Sequence, residues 1–153
     1  ERLPDLKEQI SVGAAKSGRS INDVTIAPYL MCYTSASAED LEHGAQLLRA
    51  HMAYYIGGMG NYYFDSFCRA GFETEATAVR DAWASRDRDQ AANAVSDRML
   101  ESVVVLGDAQ QCQDQIAGFR KTGVDMPVAT FPHGMELSAI HRTISALAPQ
   151  AGD

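Results

Sequence analysis

The chain has 153 residues, of which 46% are hydrophobic and 22% are charged, values that are ordinary for a single soluble domain. Its formal net charge is −7 and its basic residues are scattered, which argues against a nucleic-acid partner because nucleic-acid-binding proteins carry a basic patch. No apolar run approaches the roughly 18 residues that cross a bilayer and no secretory signal is recognisable, so the sequence predicts a cytoplasmic protein without a membrane partner.

The three cysteines, Cys32, Cys68 and Cys112, are widely spaced and include no CxxC pair. This odd number and this spacing argue against a disulfide framework and against a zinc site. None of the four histidines has the spacing of a metal-binding motif such as HExxH, so we expect no bound metal. The cysteines are expected to be buried thiols in a reducing compartment.

The first elements are predicted from apolar periodicity and capping residues. Apolar residues at helical spacing near the start of the chain indicate a helix that Gly18 ends. Residues 24–34 are rich in β-branched and aromatic side chains and predict a buried strand, with an irregularity at Pro28. Ser37 then begins a long helix whose apolar stripe continues to about Ile56.

Aromatic residues are concentrated in one segment. Seven of the twelve fall between Tyr54 and Phe72, around the sequence GGMG at residues 57–60. Glycine accepts positive φ and lets a large ring approach the backbone, so this segment predicts a tight reversal between helices. The GGMG sequence is not a dinucleotide-binding fingerprint, because a long helix and not a strand precedes it. Two interpretations stay open, a cleft for a planar ligand or a tight helical corner, and both involve Tyr54, Tyr55, Tyr62, Tyr63 and Phe64.

The rest of the sequence predicts short helices over residues 63–70 and 73–84, followed by a solvated helix end and loop over 81–89. It also predicts strands over residues 103–106 and 126–131 and a closing helix over 137–147. Asp108, with Gln111 three residues later, caps a helix that Gly123 ends. Gly107 could offer backbone N–H groups to a phosphate, but the carboxylate of Asp108 would compete for them, so we interpret Asp108 as a structural cap. Strands that alternate with helices predict parallel pairing.

Two long segments carry a resemblance to a known family. The run YYIGGMGNYYFDSFCRAGFETEA at residues 54–76 and the run VVVLGDAQQCQDQIAGFRKTGVD at residues 103–125, with Asp81-Ala82-Trp83 between them, resemble the C-terminal part of luciferase-like monooxygenases, in particular the deazaflavin (coenzyme F-420)-dependent oxidoreductase branch. The resemblance lies in order and spacing and not in one catalytic signature.

The resemblance implies a fold. Proteins of this family are (β/α)8 TIM barrels about twice as long, so residues 1–153 are expected to be a single domain or fragment that corresponds to the C-terminal half of a barrel. We therefore expect a helix-rich α/β fold with about three parallel strands and a helical insertion. Three strands cannot close a barrel, so we expect a missing N-terminal half or a homo-oligomer partner to cover the strand edges, or a rearranged packing of the three strands.

The resemblance also implies a function, a flavin- or deazaflavin-dependent oxidoreductase that uses coenzyme F-420 or FMN for hydride transfer or monooxygenation on a small organic substrate. The recognisable catalytic positions of the family lie in the N-terminal half, so no catalytic residue is assigned and the isolated chain is expected to be inactive. The alternative is a non-catalytic oligomeric interaction module.

The active site of such a barrel lies at the carboxyl ends of the strands. His133 is the best single candidate for chemistry there, because it follows a strand, sits beside Gly134 and belongs to the residue type that titrates near neutral pH, although a loop histidine is more often structural. His43, His51 and His141 lie within helical stripes, where we expect them to pack or to face solvent. The candidates for contact with a cofactor or substrate are Tyr33, Met59, Asn61, Tyr62 and His133.

Overall fold

The computed structural model describes residues 3–148, and that part of the chain contains eight α-helices, one short 3-10 helix at Ile21–Asp23 and three strands. The helices are α1 (Leu3–Lys16), α2 (Ala38–Gly58), α3 (Asn61–Arg69), α4 (Glu73–Ala84), α5 (Arg88–Asn93), α6 (Asp97–Glu101), α7 (Ala109–Lys121) and α8 (Leu137–Leu147). The strands are β1 (Tyr29–Thr34), β2 (Val104–Gly107) and β3 (Val128–Thr130). The prediction of a helix-rich α/β fold with about three parallel strands and a helical insertion is confirmed, and it is consistent with part of a TIM barrel.

The three strands form one parallel sheet in the order β2-β1-β3. Met31 of β1 is opposite Val104 of β2 on one side and Thr130 of β3 on the other, so the first strand is the central one. The connection from β1 to β2 and the connection from β2 to β3 therefore run in opposite directions across the sheet. Right-handed connections that run in opposite directions place their helices on opposite faces.

The core is divided by the sheet into two layers. On one face Tyr33 and Val104 pack with Leu48 and Met52 of α2 and with the helices that follow α2. On the other face Leu30, Cys32 and Val105 pack with Cys112 of α7, and Ile116, Phe119 and Leu147 surround them. Strands β1 and β2 are nearly continuous apolar runs because most of their side chains are buried on both faces of the sheet.

Several local predictions are confirmed by the backbone. The side chain of Ser37 accepts the N–H of Asp40 at the start of α2, and Asp108 and Gln111 form a complete capping box at the start of α7. Gly18 and Gly123, which follow α1 and α7, adopt positive φ angles of 72° and 97°. Helices α4 and α8 begin and end where the sequence predicts them.

Three predicted boundaries are corrected. The first strand begins at Tyr29 and not at residue 24. The backbone before Pro28 bonds instead to the segment that precedes β3, because Ile26 N donates to the carboxylate of Asp125 at 2.8 Å. Strand β3 is also shorter than the predicted residues 126–131. Helices α5 and α6 were not predicted; α5 begins at Arg88, inside the segment expected to be a loop.

The thiols of the three cysteines are free, as expected. Cys32 and Cys112 are fully buried, whereas Cys68 is half-buried. Burial raises the pKa of Cys32 to about 12, and the neighbouring Cys112 adds to this shift. Neither buried thiol is therefore available as a thiolate at neutral pH.

Candidate functional site

A cavity of about 550 Å³ lies on the face of the sheet that α2 covers. Its volume is within the range of small-molecule sites. The sheet and the segments beside its strands contribute Tyr29, Met31, Val103, Thr130, Phe131 and His133, and the helices contribute His51, Met52, Tyr55, Tyr63 and Phe67. Seven of these eleven side chains are aromatic rings or imidazoles, so the cavity has flat, largely apolar walls.

The local sequence explains why these side chains converge. The apolar stripe of α2 places Leu48, Met52 and Ile56 in the core, and the adjacent face of the same helix carries His51 and Tyr55, four residues apart. Gly60 follows α2 with a φ of +74°, which reverses the chain so that α3 folds back against the helix. The reversal brings Tyr63 to Tyr55, with ring centroids 4.7 Å apart.

Two histidines stand side by side in the wall of this cavity. The imidazoles of His51 and His133 are stacked with centroids 5.1 Å apart, and His133 N donates to Nδ1 of His51 at 3.3 Å. Burial lowers the pKa of His51, and the charge of His133 lowers it further. Because Nδ1 accepts a hydrogen bond, neutral His51 carries its proton on Nε2 and can donate there.

A polar cluster lies at the carboxyl end of β1. The carboxylate of Asp40 accepts hydrogen bonds from Tyr33 Oη at 2.6 Å, from Arg142 Nη2 at 2.5 Å and from Ala36 N at 2.7 Å. Burial and the bond to Asp40 raise the pKa of Tyr33 to about 12. Burial opposes ionisation of Asp40, but its three donors and the charge of Arg142 outweigh that effect and lower its pKa. The cluster therefore joins β1, α2 and α8.

The larger cavity, about 720 Å³, runs along the free edge of β2 between α2 and α7. Its side chains include Glu42, Asp97 and Glu101, and Phe119 is its one aromatic residue. The side-chain amide of Gln115 bonds to both backbone groups of Leu106 there, accepting from N at 3.1 Å and donating to O at 2.8 Å. This groove is therefore a strand edge closed by a side chain, and it lacks the converging rings of the smaller cavity.

The structure separates the five residues predicted to contact a cofactor or substrate. His133 lines the aromatic cavity. Tyr33 is buried in the Asp40 cluster, Asn61 bonds to Arg80 at 3.1 Å, and Met59 and Tyr62 are exposed, Tyr62 to 73%. The structure therefore brings His133 into the cavity wall and places the other four residues outside it.

Sequence reasoning did not place His51, Tyr29 and Phe67 at the site, and among the candidates for contact it named Tyr62, whereas the ring in the cavity wall is that of Tyr63. The i and i+4 spacing of His51 and Tyr55 was the available signal, because these positions share one face of a helix. This spacing could not be interpreted without the strand order. The order places β3, and therefore His133, beside the face of α2 that carries His51 and Tyr55.

Among the described residues, no group of three or more histidine, cysteine, aspartate or glutamate side chains is placed to hold a metal ion. No helix within residues 3–148 has the length and apolar character needed to cross a membrane.

Comparison with known proteins identifies relatives of the chain. A family model described as luciferase-like monooxygenase matches residues 2–126. The chain is 30% identical over 87 residues to a Mycobacterium tuberculosis protein named as a coenzyme F-420-dependent oxidoreductase, a match that covers 54% of this chain and 25% of the relative. It is 27% identical over 127 residues to the 5,10-methylenetetrahydromethanopterin reductase of Methanopyrus kandleri, covering 82% of this chain and 35% of the relative. The chain thus spans well under half of either relative, and no solved structure matches it significantly.

Proposed function

The chain belongs to the luciferase-like monooxygenase family, and from this membership we propose that it forms part of a coenzyme F-420-dependent oxidoreductase that transfers hydride between the deazaflavin and a small organic substrate. One relative carries the name of a coenzyme F-420-dependent oxidoreductase and another that of a reductase, which supports this class of reaction. The first of these names favours the deazaflavin over FMN as the cofactor.

The observation that carries the proposal is the aromatic cavity. Its volume of about 550 Å³ and its flat walls suit a planar ring system, because aromatic side chains gain energy from offset stacking and edge contacts with other rings. Tyr55 and Tyr63 would bound the ring on the helical side, with Met31 and Phe131 on the side of the sheet. The deazaflavin would supply the hydride chemistry, and these residues would orient the ring and exclude water.

We also propose that the chain alone binds the cofactor without turnover. The resemblance assigns the recognisable catalytic positions to the other half of the barrel, and the outer edge of β3 would pair with that half or with a second copy. The buried free thiols of Cys32 and Cys112 support a reducing compartment, so we propose a cytoplasmic location.

A fluorescence titration with oxidised coenzyme F-420 tests the cofactor proposal, with FMN as competitor. Replacing Tyr63 with leucine removes a ring from the cavity and is expected to weaken binding about tenfold, whereas Tyr62→Leu changes the neighbouring exposed ring and should leave affinity unchanged. Tyr29→Leu, at the exposed mouth of the cavity, provides a second variant if Tyr63→Leu does not fold. Absence of saturable binding, or equal losses in the Tyr62 and Tyr63 variants, would contradict the proposal.

The alternative function is a non-catalytic oligomeric module, and one observation favours it. Tyr54, Met59 and Tyr62 are large apolar residues that remain exposed around the corner between α2 and α3. For this module, sedimentation velocity should show self-association that Tyr62→Ala weakens. A concentration-independent monomer would exclude it.

A further inference from the structure

The aromatic cavity differs from four other cavities in the charge of the residues that line it. None of its eleven lining residues is acidic, although the whole chain carries a net charge of −7. Four further cavities formed by the described residues each contain at least one carboxylate, for example Asp125 in one and Asp89 in another. An anionic ligand would therefore meet no carboxylate in the wall of the aromatic cavity.

The cavity also contains the two groups that could bind an anion. With Nδ1 of His51 occupied by the backbone N–H of His133, the Nε2–H of His51 is a donor, and the exposed imidazole of His133 provides a second ring 5.1 Å away. The other titratable side chains that face the pair are the phenols of Tyr29 from β1, Tyr55 from α2 and Tyr63 from α3. A phenol cannot carry a positive charge, so the pair is the site of any positive charge in the wall.

We propose that the substrate is a planar aromatic or conjugated molecule with a carboxylate, whose ring lies in the aromatic cavity beside the cofactor ring and whose carboxylate binds the His51–His133 pair with uptake of a proton. This inference rests on the proposed function, since it assigns the substrate of the same site. Aromatic walls recognise the ring, and imidazole donors recognise the anion through charge-assisted hydrogen bonds.

The direction of the pH dependence follows from proton linkage. Without a ligand, burial and the neighbouring ring disfavour the charged form of His51. A bound carboxylate favours that charged form, so the complex holds more protons than the free protein. Affinity for a carboxylate should therefore rise as the pH falls from about 8 to 6, where histidine residues titrate and carboxylic acids remain ionised.

The test uses two probes that share a ring and differ in charge, naphthoate and its neutral amide, naphthamide. At pH 6 we expect naphthoate to bind about tenfold more tightly than the amide, and we expect the difference to be nearly lost at pH 8. Calorimetry in buffers with different ionisation enthalpies should show proton uptake with naphthoate and none with the amide. Equal affinity for the two probes at both pH values, or no binding of either, would overturn the proposal.

Histidine variants test whether the His51–His133 pair causes the preference for naphthoate. His133→Gln, in an exposed loop, should remove the preference for the acid and the proton uptake while the affinity for naphthamide is kept. His51→Gln should do the same, and His133→Gln keeps the test valid if that helix variant does not fold. His43→Gln is the control, because His43 is also on α2 but is exposed and lies outside this cavity. Retention of the acid preference in His133→Gln would also overturn the proposal.

These experiments use no coenzyme, so their results can be interpreted even if the deazaflavin does not bind. If naphthoate binds as expected and coenzyme F-420 does not, the proposed function fails and the anion site stands as a separate binding site. If the coenzyme binds but the two probes do not differ, the proposed function stands and the substrate assignment fails.

Discussion

At the scale of single residues, two hydrogen bonds link Thr34 of the central strand to the last helix. Thr143 Oγ1 of α8 accepts the backbone N–H of Thr34 at the end of β1 at 2.9 Å, and both residues are buried. Arg142, the preceding residue, donates from Nε to the carbonyl of Thr34 at 2.8 Å. His133 lies in the segment before α8, so these bonds fix the position of the helix that follows this part of the cavity wall.

We predict that Thr143→Val destabilises the protein by about 1–3 kcal/mol, because the valine has the shape of threonine but leaves a buried N–H without an acceptor. Urea unfolding measures the change. Thr143→Ser keeps the hydroxyl and is the control, so it should lose clearly less stability than the valine variant. Equal losses in the two variants would mean that packing, and not the hydrogen bond, explains the effect.

The residues of the candidate site were predicted only in part. His133 was identified because a residue after a strand can be placed at the sheet edge from sequence alone. The choice between adjacent rings such as Tyr62 and Tyr63 depends on the rotation of a helix of nine residues, which packing against α2 and α4 decides. His51 was missed because its partner is 82 residues away in the chain.

At the scale of elements, the close contact between α2 and α4 requires glycine at two positions of α2. A Cβ atom at Gly57 would lie 2.4 Å from Cγ and 2.5 Å from Cβ of Trp83, and one at Gly58 would lie 3.0 Å from Cζ2 of the same ring. The glycines therefore allow the tryptophan of α4 to lie against the backbone of α2. The aromatic segment thus forms a helical corner on one side and part of the wall of a cavity on the other.

Gly57→Ala is predicted to destabilise the protein by about 1–3 kcal/mol, because Trp83 has to move from a packed position. Gly118, inside α7, is the matched control, since a Cβ there meets no atom within 4 Å. Gly118→Ala should stabilise by about 0.5–1 kcal/mol through helix propensity. Chemical denaturation of the two variants gives the comparison, and a stabilised Gly57→Ala variant would contradict the packing account.

The free edge of β2 is protected by Gln115, whose amide bonds to both backbone groups of Leu106 as a neighbouring strand would. We predict that Gln115→Ala costs about 1 kcal/mol and increases self-association, which urea unfolding and sedimentation velocity would detect. Gln110→Ala, which removes a surface bond to Asp114, is the control. An unchanged sedimentation profile for Gln115→Ala would show that the groove itself, and not the amide, protects the edge.

Most elements were predictable, and the exceptions have physical reasons. Long amphipathic helices with caps, such as α2, α7 and α8, are specified locally by periodicity and end signals. Helices α5 and α6 have six and five residues, too few for periodicity to distinguish them from a polar loop. The start of β1 depends on which backbone groups find a partner strand, and residues close in sequence do not determine this.

At the scale of the whole molecule, alternating strands and helices predicted parallel pairing, but the order β2-β1-β3 was not predicted. Strand order is set by long-range packing, here by α2 and α7 on opposite faces of the sheet. This order brings β3 beside β1 and so places His133 against α2. The cavity proposed for the cofactor therefore depends on an arrangement that local sequence patterns do not encode.

The most direct measurement of the central claim is an NMR titration of the chain, labelled at its methionine methyl groups, with coenzyme F-420. Of the six methionines, Met31 and Met52 line the aromatic cavity, Met99 is in the core, and Met59 and Met126 are exposed elsewhere. The ring current of a planar cofactor in the cavity should shift the signals of Met31 and Met52 saturably and leave those of Met99 and Met126 in place. Saturable shifts at Met59 without shifts at Met31 and Met52, or no saturable shift at all, would contradict the assignment of this cavity as the cofactor site.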